Sequence, residues 1–367
     1  MNNKITMLQV EERLQENQMA YYPVALDSGH KIFITKHGGR VIGPFDRDTG
    51  ESLVWLCKPF QSKERFKECF SKGRLPLGGE RLWIAPELNF YTTERMKFDE
   101  SYHCQPEIDP GNYSVVQTGN GVKLQMLVDA KVYEMPFSSK QFGVTRFVWP
   151  AANPLLFTDN VKDLMKEVNY AGYRQEVGIE DLSPEKAMYL EPWLIMQLNP
   201  GGEVIVPYTG SFTFDDYYEP IDENIQSVRE GYVVLQGTGV RKYKVGYKAA
   251  KTTGRSAYFT KLDEERHLLV IKSFYNDPST PYCMEGWKQP GIRGCSLYIY
   301  NDTGISEDFG GFVEFEHCGL TIGRDSRRTH SSSETCHYFF TGKKEHLLRI
   351  VTELLGVLTG PSDFEQF

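Results

Sequence analysis

NYSVVQTGNGVKLQMLVDAKVYEM, residues 112–135, consists of two apolar-polar alternating runs on either side of Gly119-Asn120-Gly121. Alternation with period two puts every second side chain on one face of an extended chain, and a Gly-Asn-Gly link suits a tight hairpin turn. The stretch predicts a pair of antiparallel strands. The same signal recurs downstream in KQFGVTRFVWP, MYLEPWLIMQLNPGGEVIVPY, YVVLQGTGVRKYKVGYK, SAYFTKL and RHLLVIKSFY, then in CSLYIYN, GGFVEFEHCGLTI and TCHYFFTG. Gly, Asn, Asp and Pro punctuate these runs, as turns between short strands require. Upstream, KIFITKHGGRVIGPF alternates and breaks at Gly38-Gly39, DRDTGE carries turn residues, and SLVWL is a short apolar run, which together predict three strands.

Helical spacing is confined to a few places. Ile5, Leu8, Val10 and Leu14 suit a short amphipathic helix, and Phe60, Phe66, Cys69 and Phe70 a second one ending at Gly73. NVKDLMKEV (160–168) predicts a third, and Leu347, Leu348, Ile350, Val351, Leu354 and Leu355 form the apolar stripe of a C-terminal helix over 343–356. So few helices cannot supply the crossovers of a parallel sheet, and the expectation is an all-β antiparallel sandwich. Neither a repeat nor a linker divides it, so a helical segment (1–19) is expected to precede one β domain (20–367).

Composition narrows the partners. The 367 residues are 40% hydrophobic and 25% charged, the balance of a folded chain, and 21 Tyr, 22 Phe and 5 Trp favour strands and flat ligand surfaces. A net charge of −8 argues against a nucleic-acid partner, because phosphate binding needs a positive surface. The first residues, MNNKITMLQVEERLQENQMAYY, show neither a long apolar run nor a cleavage pattern, and no stretch is long and apolar enough to span a bilayer, so a soluble, cytoplasmic protein without a membrane partner is expected. Seven cysteines without a C-x-x-C pair predict reduced thiols, and His317, His330 and His337 with Cys318 and Cys336 lack zinc-ligand spacing, so no metal is expected. No P-loop, nucleophile elbow or H-E-x-x-H occurs, and GTGVRKY lacks the third glycine of a dinucleotide fingerprint, so no cofactor is expected.

Four constellations are candidates for chemistry. In GGERLWIAPE (78–87), an extended backbone sets Arg81, Trp83 and Ala85 on one face and Glu80, Leu82 and Ile84 on the other, with Glu87 closing the stretch. An indole and a guanidinium side by side offer a wall and a donor fork for a sugar, and equally describe a core tryptophan with a snorkelling arginine. In GGFVEFEHCG (310–319), Glu314 and Glu316 share a face roughly 7 Å apart, opposite His317, as a general base with its neighbour or as a solvated strand face. EPWLIMQLNPGG groups Trp193 with Gln197, and RKYKVGYK sets Lys244 opposite Tyr243 and Tyr247. Arg324, Arg327, Arg328 and His330 in GRDSRRTHSSS form an anion-binding set or an exposed loop.

Taken in order, IFITKHGGRVIGPFDRDTGESLVWL, LGGERLWIAPE, WLIMQLNPGGEVIVPY, YKVGY and FVEFEHCG resemble the galactose mutarotase-like superfamily, over roughly residues 20 to 342. The Gly-Gly-acid-Arg/Lys-Leu-Trp segment is similar to that of an uncharacterised bacterial branch. The resemblance implies a large antiparallel β-supersandwich with a few peripheral helices and a sugar-sized pocket on the concave face of one sheet. It also implies a glutamate base from a late Leu-Glu-x-Gln pattern, onto which Val313-Glu314-Phe315-Glu316 lays, making Glu314 the candidate. The family's mid-chain acid histidine has no counterpart. That strand carries Gln197, no histidine lies between 104 and 266, and an amide has no titratable proton to give. His267 or His317 is then expected to act as acid, with Arg81, Trp83, Glu87, Trp193, Gln197, Lys244 and Glu316 around a small carbohydrate. The expected function is a carbohydrate-binding protein, a cofactor-independent epimerase of the aldose 1-epimerase type. The alternatives are a non-catalytic binder of a glycan or sugar acid, and a lyase or hydrolase acting on an acidic sugar. The oligomeric state is left open.

Overall fold

The computed structural model of the protein describes residues 4–73, 76–218, 220–304 and 309–357. In chain order it runs α1 (Met7–Glu16), β1 (Tyr21–Ala25), β2 (Lys31–Thr35), β3 (Val41–Ile42), α2 (Lys63–Ser71), β4 (Glu80–Ala85), α3 (Glu87–Phe90), α4 (Phe98–Ser101), β5 (Ser114–Thr118), β6 (Gly121–Lys131) and β7 (Ser139–Pro150). There follow α5 (Val161–Leu164), β8 (Asn169–Asp181), β9 (Tyr189–Leu198), β10 (Gly202–Pro207), β11 (Phe214–Asp216), β12 (Gln226–Arg229), β13 (Tyr232–Gly237), β14 (Tyr243–Lys248) and β15 (Arg255–Lys261). The chain ends with β16 (His267–Phe274), β17 (Cys295–Asn301), β18 (Val313–Cys318), β19 (Ile322–Gly323), β20 (His330–Gly342) and α6 (Lys344–Leu355).

The hairpin of residues 112–135 forms as its alternation requires. Thr118 pairs with Gly121 across Gly119-Asn120, and from Val122 to Lys131 buried and exposed positions of β6 alternate without a break. All strand pairings between the named strands are antiparallel, in two large sheets. The first runs β1-β2-β3-β4-β9-β18-β17-β14-β11, with β19 paired to β9, and the second runs β12-β13-β10-β15-β16-β20-β8-β7-β6-β5. The fold is all-β.

The inward faces of the sheets share one apolar core, in which Leu82, Ile84, Leu194 and Phe315 of the first sheet join Leu124, Val144, Val177 and Val270 of the second. Half of the second sheet's outer face is covered as well. There α6 lays Leu347, Ile350, Val351 and Leu355 on Ile205, Phe259, Leu269 and Ile271, burying its apolar stripe. Glycine 356 at φ 70° ends this helix, and the Thr6–Gln9 capping box starts α1, with each side chain satisfying the other's backbone donor. Among the described residues no helix is long and apolar enough to cross a membrane.

Several expectations change. SLVWL forms no strand: Leu53–Leu56 are buried, and the segment makes only single bridges, Phe45 to Ser52 and Leu56 to Gly78. The helix expected over 160–168 shortens to Val161–Leu164, because Glu167 turns to φ 57° and β8 begins two residues later. Strand β8 lacked an apolar rhythm in the sequence, since Arg174, Glu176 and Glu180 face outward and Gln175 faces in. The end of the arginine loop, 330–333, belongs to β20. Of the two expected ranges, residues 1–3 and 358–367 lie outside the described residues.

Candidate active site

The floor of the candidate site is the outward face of β4, β9, β18, β17 and β14. Pairing places Trp83 beside Trp193, Arg81 beside Ile195, Gln197 beside Glu314, Glu316 beside Tyr298, and Glu314 beside Tyr300, which in turn faces Lys244. Strand alternation sends the functional side chains of all five strands to this one face. The face is covered by two excursions of the chain: residues 86–112, with α3 and α4, and residues 275–294. They lock together where Arg95 donates to the Trp287 and Gly286 carbonyls (2.8 and 2.7 Å) and where Phe98 stacks on Trp287. Strand β9 is consequently buried at all ten positions.

Between floor and cover lies a cavity of about 340 Å³, within the range of small-molecule sites. Arg81, Trp83, Trp193, Lys244 and Glu314 line it together with Glu87. The structure thus brings together residues 81, 83, 87, 193, 244 and 314, picked from separate segments. Gln197 and Glu316 lie just beneath. Gln197 donates to Glu314 Oε1 (3.0 Å), and Glu316 Oε2 accepts from Trp193 Nε1 (2.7 Å) and pairs with Lys244 (3.1 Å).

The cations are all engaged. Arg81 Nη2 donates to Glu314 Oε1 at 2.8 Å, Lys244 also approaches Glu87 at 3.8 Å, and Lys242 on the rim meets Asp99 at 3.0 Å. Arg81 and Gln197 converge on the same oxygen of Glu314, leaving Oε2 outside these contacts. Three buried polar atoms at the floor have no partner among the described residues: Arg81 Nε, Gln197 Oε1 and Glu316 Oε1. Such atoms are uncommon in folded interiors and suit a hydroxylated ligand, which both donates and accepts.

Trp83 departs from its expected role as an open sugar wall. Its ring lies under the Arg81 guanidinium (4.0 Å), stacks on Tyr91 (4.8 Å) and meets the edge of Trp193, while its Nε1 donates to Asp109 (2.8 Å). The indole is a floor that flattens and orients Arg81. The partly exposed aromatic surface comes instead from Tyr102, Tyr218, Tyr300 and Phe312, none of them anticipated from sequence. Tyr300 is two residues beyond Tyr298 and pairs with Glu314 on the same face, a signal available only once the β17–β18 register is known.

Neither candidate histidine reaches the cavity. Alternation turns His317 inward, away from Glu314 and Glu316, where its Nε2 meets Thr335 Oγ1 at 2.8 Å. His267 stands on the second sheet, stacked on Phe259. The arginine loop separates too, with Arg324 over Tyr189 and Arg328 beside Asp277.

Burial pushes the Glu314 carboxyl above the usual range, against the pull of Arg81 and Lys244. Burial pushes Glu316 up to about 7, with Lys244 opposing and the nearby charges of Glu314 and Glu87 reinforcing the shift. Burial alone works against charge on Lys244, yet Glu316, Glu87 and Glu314 outweigh it and hold the ammonium above its ordinary value. The unfolded chain releases the Glu316 proton near pH 4.5, whereas the fold keeps it to about 7. Across that window the folded state binds more protons, so this group makes stability fall as pH rises, by up to about 1.4 kcal/mol per pH unit. His317 and His337, held low by burial, tilt the whole-protein curve the other way, so the informative quantity is a difference. Glu316→Gln is expected to gain stability relative to wild type between pH 5 and 7 in urea titrations; a constant difference would refute the shift.

A larger, more open hollow of about 880 Å³ lies over the outer face of β5–β8 and β20. Its lining includes Gly143, Gly178, Thr145, Ser332 and Glu176, with Ser332 donating to Glu176, but none of the buried paired charges of the smaller cavity. Perturbed carboxyls and paired cations in a cleft favour the smaller cavity as the site of chemistry.

No curated protein matches the chain. A family model described as a family of unknown function (DUF6786) matches residues 12–360, nearly the whole length, and the chain belongs to that family.

Proposed function

We propose that the covered cavity binds a sugar-sized polyol and interconverts its anomers without a cofactor, with Glu314 as general base. One observation carries this reading: a buried carboxylate, held on one oxygen by Arg81 and Gln197, lines a cavity of about 340 Å³ beside partly exposed tyrosines. A base fixed on one oxygen keeps the other for an anomeric hydroxyl, and burial sharpens its affinity for the proton. The resemblance of its segments to the galactose mutarotase-like superfamily is in keeping with the same chemistry. A cytoplasmic setting fits thiols such as those of Cys283, Cys295 and Cys318, which form no disulfide.

A second reading, sugar binding without turnover, is favoured by one fact: among the described residues no imidazole lines the cavity. The two separate in one experiment with free D-glucose, D-galactose, D-mannose and D-xylose, following α/β exchange by NMR and binding by ligand-observed NMR. Wild type is expected to accelerate exchange of at least one sugar, and Glu314→Gln to lose about 100-fold of that rate with affinity nearly intact. Binding without acceleration establishes the second reading. Absence of both binding and exchange with every sugar removes the first and the second together.

A further inference from the structure

Anomer exchange needs a proton donor facing the base, and the histidines lie elsewhere. We propose that Asp302 is that donor, delivering its proton to the ring oxygen while Glu314 takes the proton of the anomeric hydroxyl. The assignment rests on the anomer-exchange reading above.

Asp302 follows the last residue of β17 and lines the cavity together with Glu314. Tyr300 pairs directly with Glu314 across the β17–β18 ladder, and Asp302 is two residues further on. That places the two carboxyl-bearing residues diagonally across the ladder, roughly 7–8 Å apart, a spacing that leaves room for a sugar ring's reacting edge between them. Asp302 is only 4% exposed. Its Oδ1 accepts from the Thr303 backbone N–H (2.9 Å) and the Tyr300 hydroxyl (3.3 Å), and neither bond engages Oδ2.

The surroundings of the two acids differ in the way their roles demand. Glu314 is backed by the guanidinium of Arg81 and, further off, by Lys244. Asp302 makes no ion pair among the described residues; the nearest cation, Lys242, is held by Asp99. Burial raises the Asp302 carboxyl, opposed by the Thr303 N–H, the Tyr300 hydroxyl, Lys242 and the Gly304 N–H. Two carboxyls whose environments differ can divide acid and base roles between them. Arg81 and Lys244 press Glu314 towards its ionised form, whereas Asp302 has no ion pair among the described residues and only the field of Lys242, so the assignment gives the proton to Asp302.

The step balances without any co-reactant. Glu314 removes the O1 proton as the C1–O5 bond breaks, the electron pair on O5 takes the proton of Asp302, and an open-chain aldehyde results. After rotation about C1–C2, O5 attacks the other face of C1, Asp302 recovers its proton from O5, and Glu314 returns one to O1. Both carboxyls end as they began.

The test compares wild type with Asp302→Asn, which keeps the Oδ1 acceptor for Thr303, using the same four sugars. The variant is expected to lose at least 100-fold in exchange rate with sugar affinity changed less than threefold. The wild-type rate is expected to fall on the acid side as Glu314 takes a proton and on the alkaline side as Asp302 loses one. A variant within threefold of wild type overturns the assignment, and so does a wild-type rate that stays level up the alkaline side, a readout that holds even if the variant does not fold. Absence of wild-type exchange overturns it as well. The anomer-exchange reading survives the first two results, and sugar binding survives the third if ligand-observed NMR still detects it.

Discussion

Glu80→Ala is expected to lower the stability of the protein by about 3–5 kcal/mol. Glu80 is the neighbour of Arg81 on β4 and points the opposite way, between the two sheets, where it is 1% exposed. Its Oε2 accepts from Gln175 (2.8 Å), Tyr173 (3.0 Å) and Arg146 (3.2 Å), and its Oε1 faces His337 at 3.2 Å. Arg146 is equally buried and, among the described residues, otherwise donates to Gln175 and the carbonyl of Gly39 alone. Removing the carboxylate leaves a guanidinium charge in the core with neutral acceptors alone, which costs far more than the net worth of the pair. Burial by itself raises the Glu80 carboxyl, but His337, Arg146 and Lys272 together hold it well below the usual carboxylate range. A group with a depressed folded pKa stabilises above its unfolded value and loses that contribution as pH falls. The destabilisation by Glu80→Ala is therefore expected to be full at pH 7 and to shrink towards pH 3. Urea unfolding at both pH values checks this, and a loss under about 1 kcal/mol at pH 7 would contradict the burial of an unpaired charge.

Gly79→Ala is expected to cost about 3 kcal/mol: about 1–2 from the left-handed backbone and about 1–3 from overpacking. Gly79 sits at φ 72°, and a Cβ there would meet the backbone oxygen of Val41 at 2.2 Å. Its N–H donates to the Trp55 carbonyl and its carbonyl accepts from the Gln197 N–H, both at 2.9 Å. Three chain segments cross at this point, and none is a side chain able to swing aside. Gly231→Ala provides the control, since its φ is 80° with nothing within 4 Å of the new methyl. Guanidinium titrations of both variants separate backbone strain from collision. Equal losses in the two would remove the crossing as the reason for the double glycine.

Much of the architecture was legible because alternation is a one-dimensional signal. The 112–135 hairpin and the helix ending at Gly356 follow from spacing and turn chemistry alone. Alternation also sorted Arg81 and Trp83 from Glu80, and Glu314 and Glu316 from His317, so the faces of these residues could be read before their neighbours were known. It argued equally against His317 as a partner of Glu314, a conclusion that the sequence contained and the resemblance obscured. Tyr300 and Asp302 were not legible, because their place depends on the register of β17 against β18. The covering residues Phe98 and Asp99 lie in the single turn of α4, and Tyr102 and Tyr218 in loops, all too short to show a period that indicates which way a side chain points. Strand β8 was hidden for another reason: its inward positions include Gln175, a member of the buried network around Glu80.

Arg81 and Glu314 meet across 233 residues of chain, and Gln197 and Glu314 across 117. Closing loops of that length before any contact rewards them makes the central strands of this sheet late arrivals in folding. In a nascent chain the edge of β9 that pairs with β18 therefore has no such partner until β18 leaves the ribosome. The floor of the candidate site is thus also a seam of the sheet, complete only once β18 has joined β9.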